Sequence, residues 1–92
     1  MRLRWDSRAL KDIEKIYAYI AADNPKAAKR VVERIEESIG RLSIMPMSGR
    51  PGVTKATRLL AVPGAPYIVV HRVRGDIVDI LAVLHTARRL RS

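Results

Sequence analysis

The hydrophobic residues of this chain recur every three or four positions in its first half and mostly every second position later. The first spacing predicts two amphipathic helices, over about residues 8–22 and 25–43. Their apolar stripes are Leu10, Ile13, Ile16, Tyr17 and Ile20, and then Ala28, Val32, Ile35, Ile39 and Leu42. Asn24 can cap the second helix and Pro25 suits its first position, so the two helices are expected to form an antiparallel hairpin.

Alternating and β-branched segments predict four strands, at about residues 2–5, 57–62, 67–74 and 77–85. Gly75 and Asp76 form a two-residue hairpin turn between the last two. Residues 44–56 hold two prolines and two glycines and predict a loop. The order β-α-α-β-β-β predicts an α+β fold of two layers, with the helical hairpin packed on an antiparallel sheet. We expect residues 1–92 to form a single domain, because the chain has no length for a second one.

The hairpin turn also predicts which residues share a face of the sheet. An uninterrupted register sets Val73 opposite Val78, His71 opposite Ile80, Val69 opposite Ala82 and Tyr67 opposite Leu84, all facing the helices. The other face then carries an Arg72–Asp79 pair at one end, an apolar patch at the other, and His85 beyond it. Such a patch favours a partner, unless the loop or the tail covers it. Its residues are Leu59, Ile68, Val70, Leu81 and Val83.

Composition narrows the chemistry that this fold can perform. The chain has no Cys, which excludes disulfides, thiol catalysis and Cys-bound zinc, and its two histidines lack metal-ligand spacing. We therefore predict no metal and no cofactor. The net charge is +9, and residues 46–92, with eight basic and two acidic side chains, hold +6 of it. This excess favours an acidic partner, the alternative being that it only maintains solubility.

Candidate cationic residues fall in two places, on the loop before the second strand and at the end of the chain. They are Arg50, Lys55 and Arg58, followed by His85, Arg88, Arg89 and Arg91. An imidazole beside arginines can bind a phosphate or transfer a proton, although it can also be merely an exposed strand end. In the basic second half, Tyr67 is the one aromatic residue and its position in the strand turns it toward the helices, which argues against single-stranded nucleic acid as the main ligand. Residues 1–10 hold three arginines and lack the apolar run of a secretory signal. We therefore expect a cytoplasmic protein without a membrane partner.

Five short motifs, in this order, resemble the ParE-type toxins of the RelE/ParE superfamily. They are Ala22-Asp23-Asn24-Pro25, Gly49-Arg50-Pro51-Gly52, Thr57-Arg58-Leu59-Leu60, the run Val62-Pro63-Gly64-Ala65-Pro66-Tyr67-Ile68-Val69-Val70, and Val83-Leu84-His85-Thr86-Ala87-Arg88. The resemblance implies the toxin of a type II toxin–antitoxin pair, which inhibits DNA gyrase, touches DNA at most indirectly, and is neutralised by a ParD-like antitoxin. The cationic residues named above would then bind the target, and the apolar patch would bind the antitoxin.

The same superfamily contains ribosome-dependent endoribonucleases of the RelE type, which are the alternative. In that case His85 and Arg88 would be catalytic. The sequence departs from the nuclease pattern, because Ile68 stands where those enzymes commonly have Arg and no Tyr follows Tyr67. The resemblance therefore favours a toxin with no catalytic residues. A binding module without toxicity is a third hypothesis.

Overall fold

The computed structural model describes residues 1–54 and 56–89, and it confirms the two-layer α+β fold. Its elements are β1 (Arg2–Trp5), α1 (Ser7–Ala21), α2 (Pro25–Arg41), β2 (Arg50–Pro51), β3 (Thr57–Ala61), β4 (Tyr67–Arg74), β5 (Ile77–His85) and α3 (Thr86–Arg89). The five strands are ordered β1-β5-β4-β3-β2, with β1 parallel to β5 and the other pairs antiparallel. The helical hairpin covers one face of this sheet. In the described part of the chain, no helix combines the length and apolarity needed to cross a membrane.

The predicted helix boundaries and hairpin turn match the structure closely. The Asn24 side chain accepts a hydrogen bond from the Ala27 backbone N–H at 3.1 Å, and Pro25 opens α2. The β4–β5 hairpin pairs Arg74 with Ile77 around the predicted two-residue turn. Two segments differ from the prediction: the loop contains the short strand β2, and the basic tail begins with the short helix α3.

The core between the two layers is aliphatic. Ile35 and Ile39 of α2 pack against Val69 and Ile80 of the sheet, and each of these side chains is at most 1% exposed. Helix α1 contributes Ala9 and Ile16, with Ile13 and Ile20 packed beside them.

The predicted stripe of α1 was wrong at two positions. Leu10 is 50% exposed and Tyr17 is 44% exposed. Each follows a buried residue, Ala9 or Ile16, by one position, and one residue turns the helix by about 100°. Their side chains therefore lie on the outer flank of the hairpin, away from the sheet.

Candidate functional sites

A β-bulge in β5 decides which way the end of that strand faces. His71 pairs with Ile80, but Val70 pairs with Ala82, so Leu81 is an extra residue. An extra residue reverses the alternation of every side chain beyond it. The predicted pairing of Val69 with Ala82 and Tyr67 with Leu84 was therefore wrong. Beyond the bulge, Val69 pairs with Val83 and Tyr67 pairs with His85.

The bulge turns His85 to the helix side of the sheet, not to the open face that the uninterrupted register predicted. Its ring meets the Tyr67 ring edge to face, with the centroids 5.3 Å apart. Nδ1 of His85 accepts a hydrogen bond from the Ala87 backbone N–H at 3.1 Å. A nitrogen that accepts cannot carry a proton, so the proton of the neutral imidazole lies on Nε2.

His85 lines a cleft of about 240 Å³ between α1 and the sheet. The other lining residues are Asp12, Lys15, Ile16, Tyr19, Tyr67 and Val83. Sequence reasoning missed the α1 residues of this cleft, because Asp12 and Lys15 lie on the polar side of the helical pattern and nothing in their spacing indicates the sheet edge beside them.

Asp12 also closes an open edge of the sheet. Strand β1 stops pairing with β5 at Ile80, which leaves the next residues of β5 without a strand on that side. The Val83 backbone N–H donates to Asp12 Oδ2 at 2.9 Å. Arg8, one helical turn earlier, lies 3.6 Å from the same carboxylate oxygen. A side chain of α1 thus replaces the missing strand.

The structure buries three of the five residues of the predicted apolar patch. Leu59 is 7% exposed, Ile68 is 6% exposed and Val83 is 4% exposed. The bulge turns Val83 into the helix-side core. Leu59 and Ile68 lie on β3 and β4, each of which has a hydrogen-bonded strand on both sides. Only Val70 and Leu81 are partly accessible.

Large apolar side chains are exposed elsewhere, and apart from Met1 they form two groups among the described residues. One group lies on α1 and the other on the segment before β3, and their members are Leu10, Tyr17 and Tyr19, and then Ile44, Met45, Met47 and Val53. The exposed fractions reach 75% at Tyr19 and 96% at Val53. Large exposed apolar side chains of this kind are typical of protein-binding surfaces.

The predicted cationic residues do not form one cluster among the described residues. Arg50 is exposed on the edge strand β2, and the half-buried Arg58 donates to the Gly49 carbonyl at 2.9 Å. The backbone of Arg88 and Arg89 lies in α3. The remaining two candidates, Lys55 and Arg91, lie outside the described residues.

His71 is a core histidine, as its position in the strand predicted. It is fully buried, and its Nε2 donates to the Ser48 carbonyl at 3.1 Å. Burial lowers the pKa of His71; the bond to Ser48 opposes this shift, and the Arg58 charge adds to it. The neutral imidazole thereby fastens the segment before β2 to the centre of the sheet.

The predicted ion pair between Arg72 and Asp79 is present and is part of a larger cluster. Arg4 of β1 and Arg74 of β4 also bind the Asp79 carboxylate, whose side chain is completely buried. Hydrogen bonds from Arg74 and Arg72 lower the pKa of Asp79 strongly, against the opposing effect of burial. Among the described residues, no group of three His, Asp or Glu side chains is placed to hold a metal ion.

Comparison with known proteins assigns this architecture to a class. Residues 3–90 match the family model of the ParE toxin of the type II toxin–antitoxin system parDE. A Sinorhizobium fredii protein, Y4kP, whose name gives it as a presumed toxin, is 48% identical over 84 residues, which cover 91% of this chain and 86% of that protein. Toxin RelE2 of Caulobacter vibrioides is 33% identical over 84 residues, 91% of this chain and 93% of that one.

The fold agrees with these sequence matches. A chain in the solved structure of the chromosomal ParDE toxin–antitoxin system from P. aeruginosa superposes with a TM-score of 0.82 at 28% identity. The match covers 92% of this chain and 95% of that chain. The protein therefore belongs to the ParE toxin family of type II toxin–antitoxin systems, as the motifs in its sequence indicated.

Proposed function

We propose that this protein is a toxin that inhibits DNA gyrase and that a ParD-like antitoxin neutralises it in the cytoplasm. The observation that carries the proposal is membership of the ParE family along almost the whole chain, residues 3–90. The resemblance of the sequence to ParE-type toxins supplies gyrase as the target. The strongly basic surface supports an acidic protein partner, since opposite charge accelerates association and selects among partners.

Purified DNA gyrase provides the direct test. We expect the protein to reduce supercoiling of relaxed plasmid or to accumulate cleaved DNA, and we expect the antitoxin to restore activity. Gyrase that keeps full activity at a large excess of the protein would contradict the proposed target.

For the target-binding surface, we propose the basic end of the chain. Charge-assisted contacts from Arg88 and Arg89 would hold the target, and they would weaken as salt screens them. We expect the double variant Arg88→Glu with Arg89→Glu to lose gyrase inhibition and to keep its melting temperature. The matched control reverses two exposed charges on α2, at Lys29 and Arg30. If both double variants inhibit as wild type does, the effector surface lies elsewhere, and the loop with Arg50 and Lys55 becomes the next region to test.

For the antitoxin, we propose a contact that includes Val70 and Leu81, the partly accessible members of the apolar patch. An acidic amphipathic segment would be attracted by charge and held by burial of its apolar side chains. We expect Val70→Asp or Leu81→Asp to weaken antitoxin binding, with circular dichroism reporting the fold. Gly40→Asp, at an exposed position of α2 where an added side chain has open space, is the control. Equal antitoxin affinity in folded Val70→Asp and wild type would exclude this contact.

Ribosome-dependent mRNA cleavage is the second candidate function. It is favoured by the relative named RelE2 and by the cleft, which brings Lys15 and His85 together. Primer extension on translated mRNA tests it. We expect no cleavage with wild type, and cleavage that disappears in His85→Ala would replace the gyrase proposal with a nuclease.

A further inference from the structure

The open face of the sheet carries an arginine triad, which we define as Arg4, Arg72 and Arg74, around one buried carboxylate. Arg4 and Arg72 flank Asp79 in the same row of the sheet, because both are its partners in the strand register. Arg4 donates to Oδ1 at 3.0 Å, and Arg72 donates to Oδ2 at 3.2 Å. Arg74 binds both oxygens, through Nη2 at 3.2 Å and Nε at 2.5 Å. Asp79 thus fixes three guanidinium groups from two strands side by side.

The cluster has more positive charge and more donors than Asp79 can use. Three guanidinium groups against one carboxylate leave two positive charges in excess. Each guanidinium has five N–H donors, so the four bonds to Asp79 use a minority of them. The three side chains remain 40–53% exposed while the carboxylate is fully covered. The arrangement therefore presents oriented cationic donors to solvent and no acceptor.

We propose that the arginine triad is a receptor for the carboxylates of an acidic polypeptide segment. The inference deepens the proposed function, because on that function the segment belongs to the antitoxin. Guanidinium forks match carboxylates in geometry as well as charge, and Asp79 holds these forks in place before the partner arrives.

Nucleic acid and a second copy of the chain fit this surface less well. Bases are usually held by aromatic rings, but the sheet aromatics Trp5 and Tyr67 pack on the helix side. The residues next to the triad in this face, Val70 and Leu81, are aliphatic and partly accessible, which suits a peptide. A second copy would bring another net charge of +9 to the contact. An acidic peptide satisfies both the charge and the apolar neighbours.

The test measures binding of hexaglutamate to the full chain by isothermal titration calorimetry at low salt, with oligothymidylate and inorganic phosphate as competing probes. Arg4→Gln removes the most exposed member of the triad, and we expect it to weaken hexaglutamate binding about fivefold. The control is Arg8→Gln, because Arg8 is likewise exposed and paired with a carboxylate, but lies on α1. Equal losses in the two variants would assign binding to overall charge and overturn the proposal. Tighter binding of oligothymidylate than of hexaglutamate would also overturn it.

The substitution Asp79→Asn is expected to change the hexaglutamate affinity in the direction opposite to Arg4→Gln. It therefore distinguishes a carboxylate receptor from a cluster that only stabilises the fold. The amide keeps the shape of the side chain but raises the local excess from two positive charges to three. We expect hexaglutamate to bind several-fold more tightly to the folded variant, whereas a structural cluster predicts no gain. If Asp79→Asn does not fold, the comparison of Arg4→Gln with Arg8→Gln decides the question alone.

The same variants distinguish this inference from the proposed function. Antitoxin that binds wild type and Arg4→Gln equally would overturn the triad as the contact while leaving the antitoxin partnership intact. If hexaglutamate binding depends on Arg4 but the antitoxin does not bind wild type, the triad remains a receptor for carboxylates. That result would contradict the proposal that the antitoxin is the partner.

Discussion

Protonation of His71 should make the fold less stable as the pH falls below neutral. The imidazole is fully buried and bound to the Ser48 carbonyl, and burial lowers its pKa from the ordinary value of 6.5. The unfolded chain therefore binds this proton more readily than the folded chain does. The stability that His71 contributes is complete above about pH 6.5 and is lost progressively as the pH decreases.

The size of this loss of stability follows from the linkage between proton binding and unfolding. One proton taken up only by the unfolded chain lowers the free energy of unfolding by about 1.4 kcal/mol per pH unit. From pH 6.5 to pH 5.0 the loss is therefore at most about 2 kcal/mol. Asp79 does not interfere in this window. Its pKa is also lowered, so its contribution is present above about pH 4 and is lost only below that value.

Urea unfolding at several pH values between 5.0 and 7.5 measures the slope. We expect His71→Gln, whose amide can still donate to Ser48, to abolish most of the slope, although it is less stable than wild type at pH 7.5. His85→Gln is the matched control at the second histidine and should keep the slope. A wild-type stability that stays constant from pH 7.5 to 5.0, or a slope that persists in His71→Gln, would refute the reasoning.

Three further substitutions test the fold by the same urea assay at neutral pH. Asn24→Ala removes the cap of α2 and should cost about 1 kcal/mol, and no loss would show that the cap contributes nothing. Ile35→Ala should cost about 2–5 kcal/mol by opening a cavity in the core, whereas Glu36→Ala, at the exposed next position, should change stability by less than about 0.5 kcal/mol. Gly49→Ala should lower the free energy of unfolding by at least about 1–3 kcal/mol, because Gly49 has a φ of +91° and an added Cβ would collide with the Leu59 carbonyl oxygen. Wild-type stability in that variant would contradict the close approach of Gly49 to Leu59.

The sequence alone predicted the local elements and the fold class. Hydrophobic spacing, the Asn24 cap and the two-residue turn at Gly75 depend only on residues near one another in the chain, so they can be read without the rest of the molecule. The motif order likewise indicated the ParE family, which the family match confirms. The pairing of Arg72 with Asp79 could be predicted from the two-residue turn, because both residues lie within a few positions of that turn.

The tertiary structure decided where the functional side chains point. The bulge at Leu81 moves Val83 and His85 from the open face to the helix side, and strict alternation cannot reveal it because a bulge adds one residue without interrupting the apolar pattern. The parallel pairing of β1 with β5 brings Arg4 to Asp79 from 75 residues away, turning an ordinary ion pair into the arginine triad. Alternation is a local property of the backbone, whereas bulges and strand partners are selected by how the whole sheet packs against the helices. The sequence therefore determines which charged and apolar residues are available, whereas the face of the molecule on which each of them lies is determined only by the folded sheet.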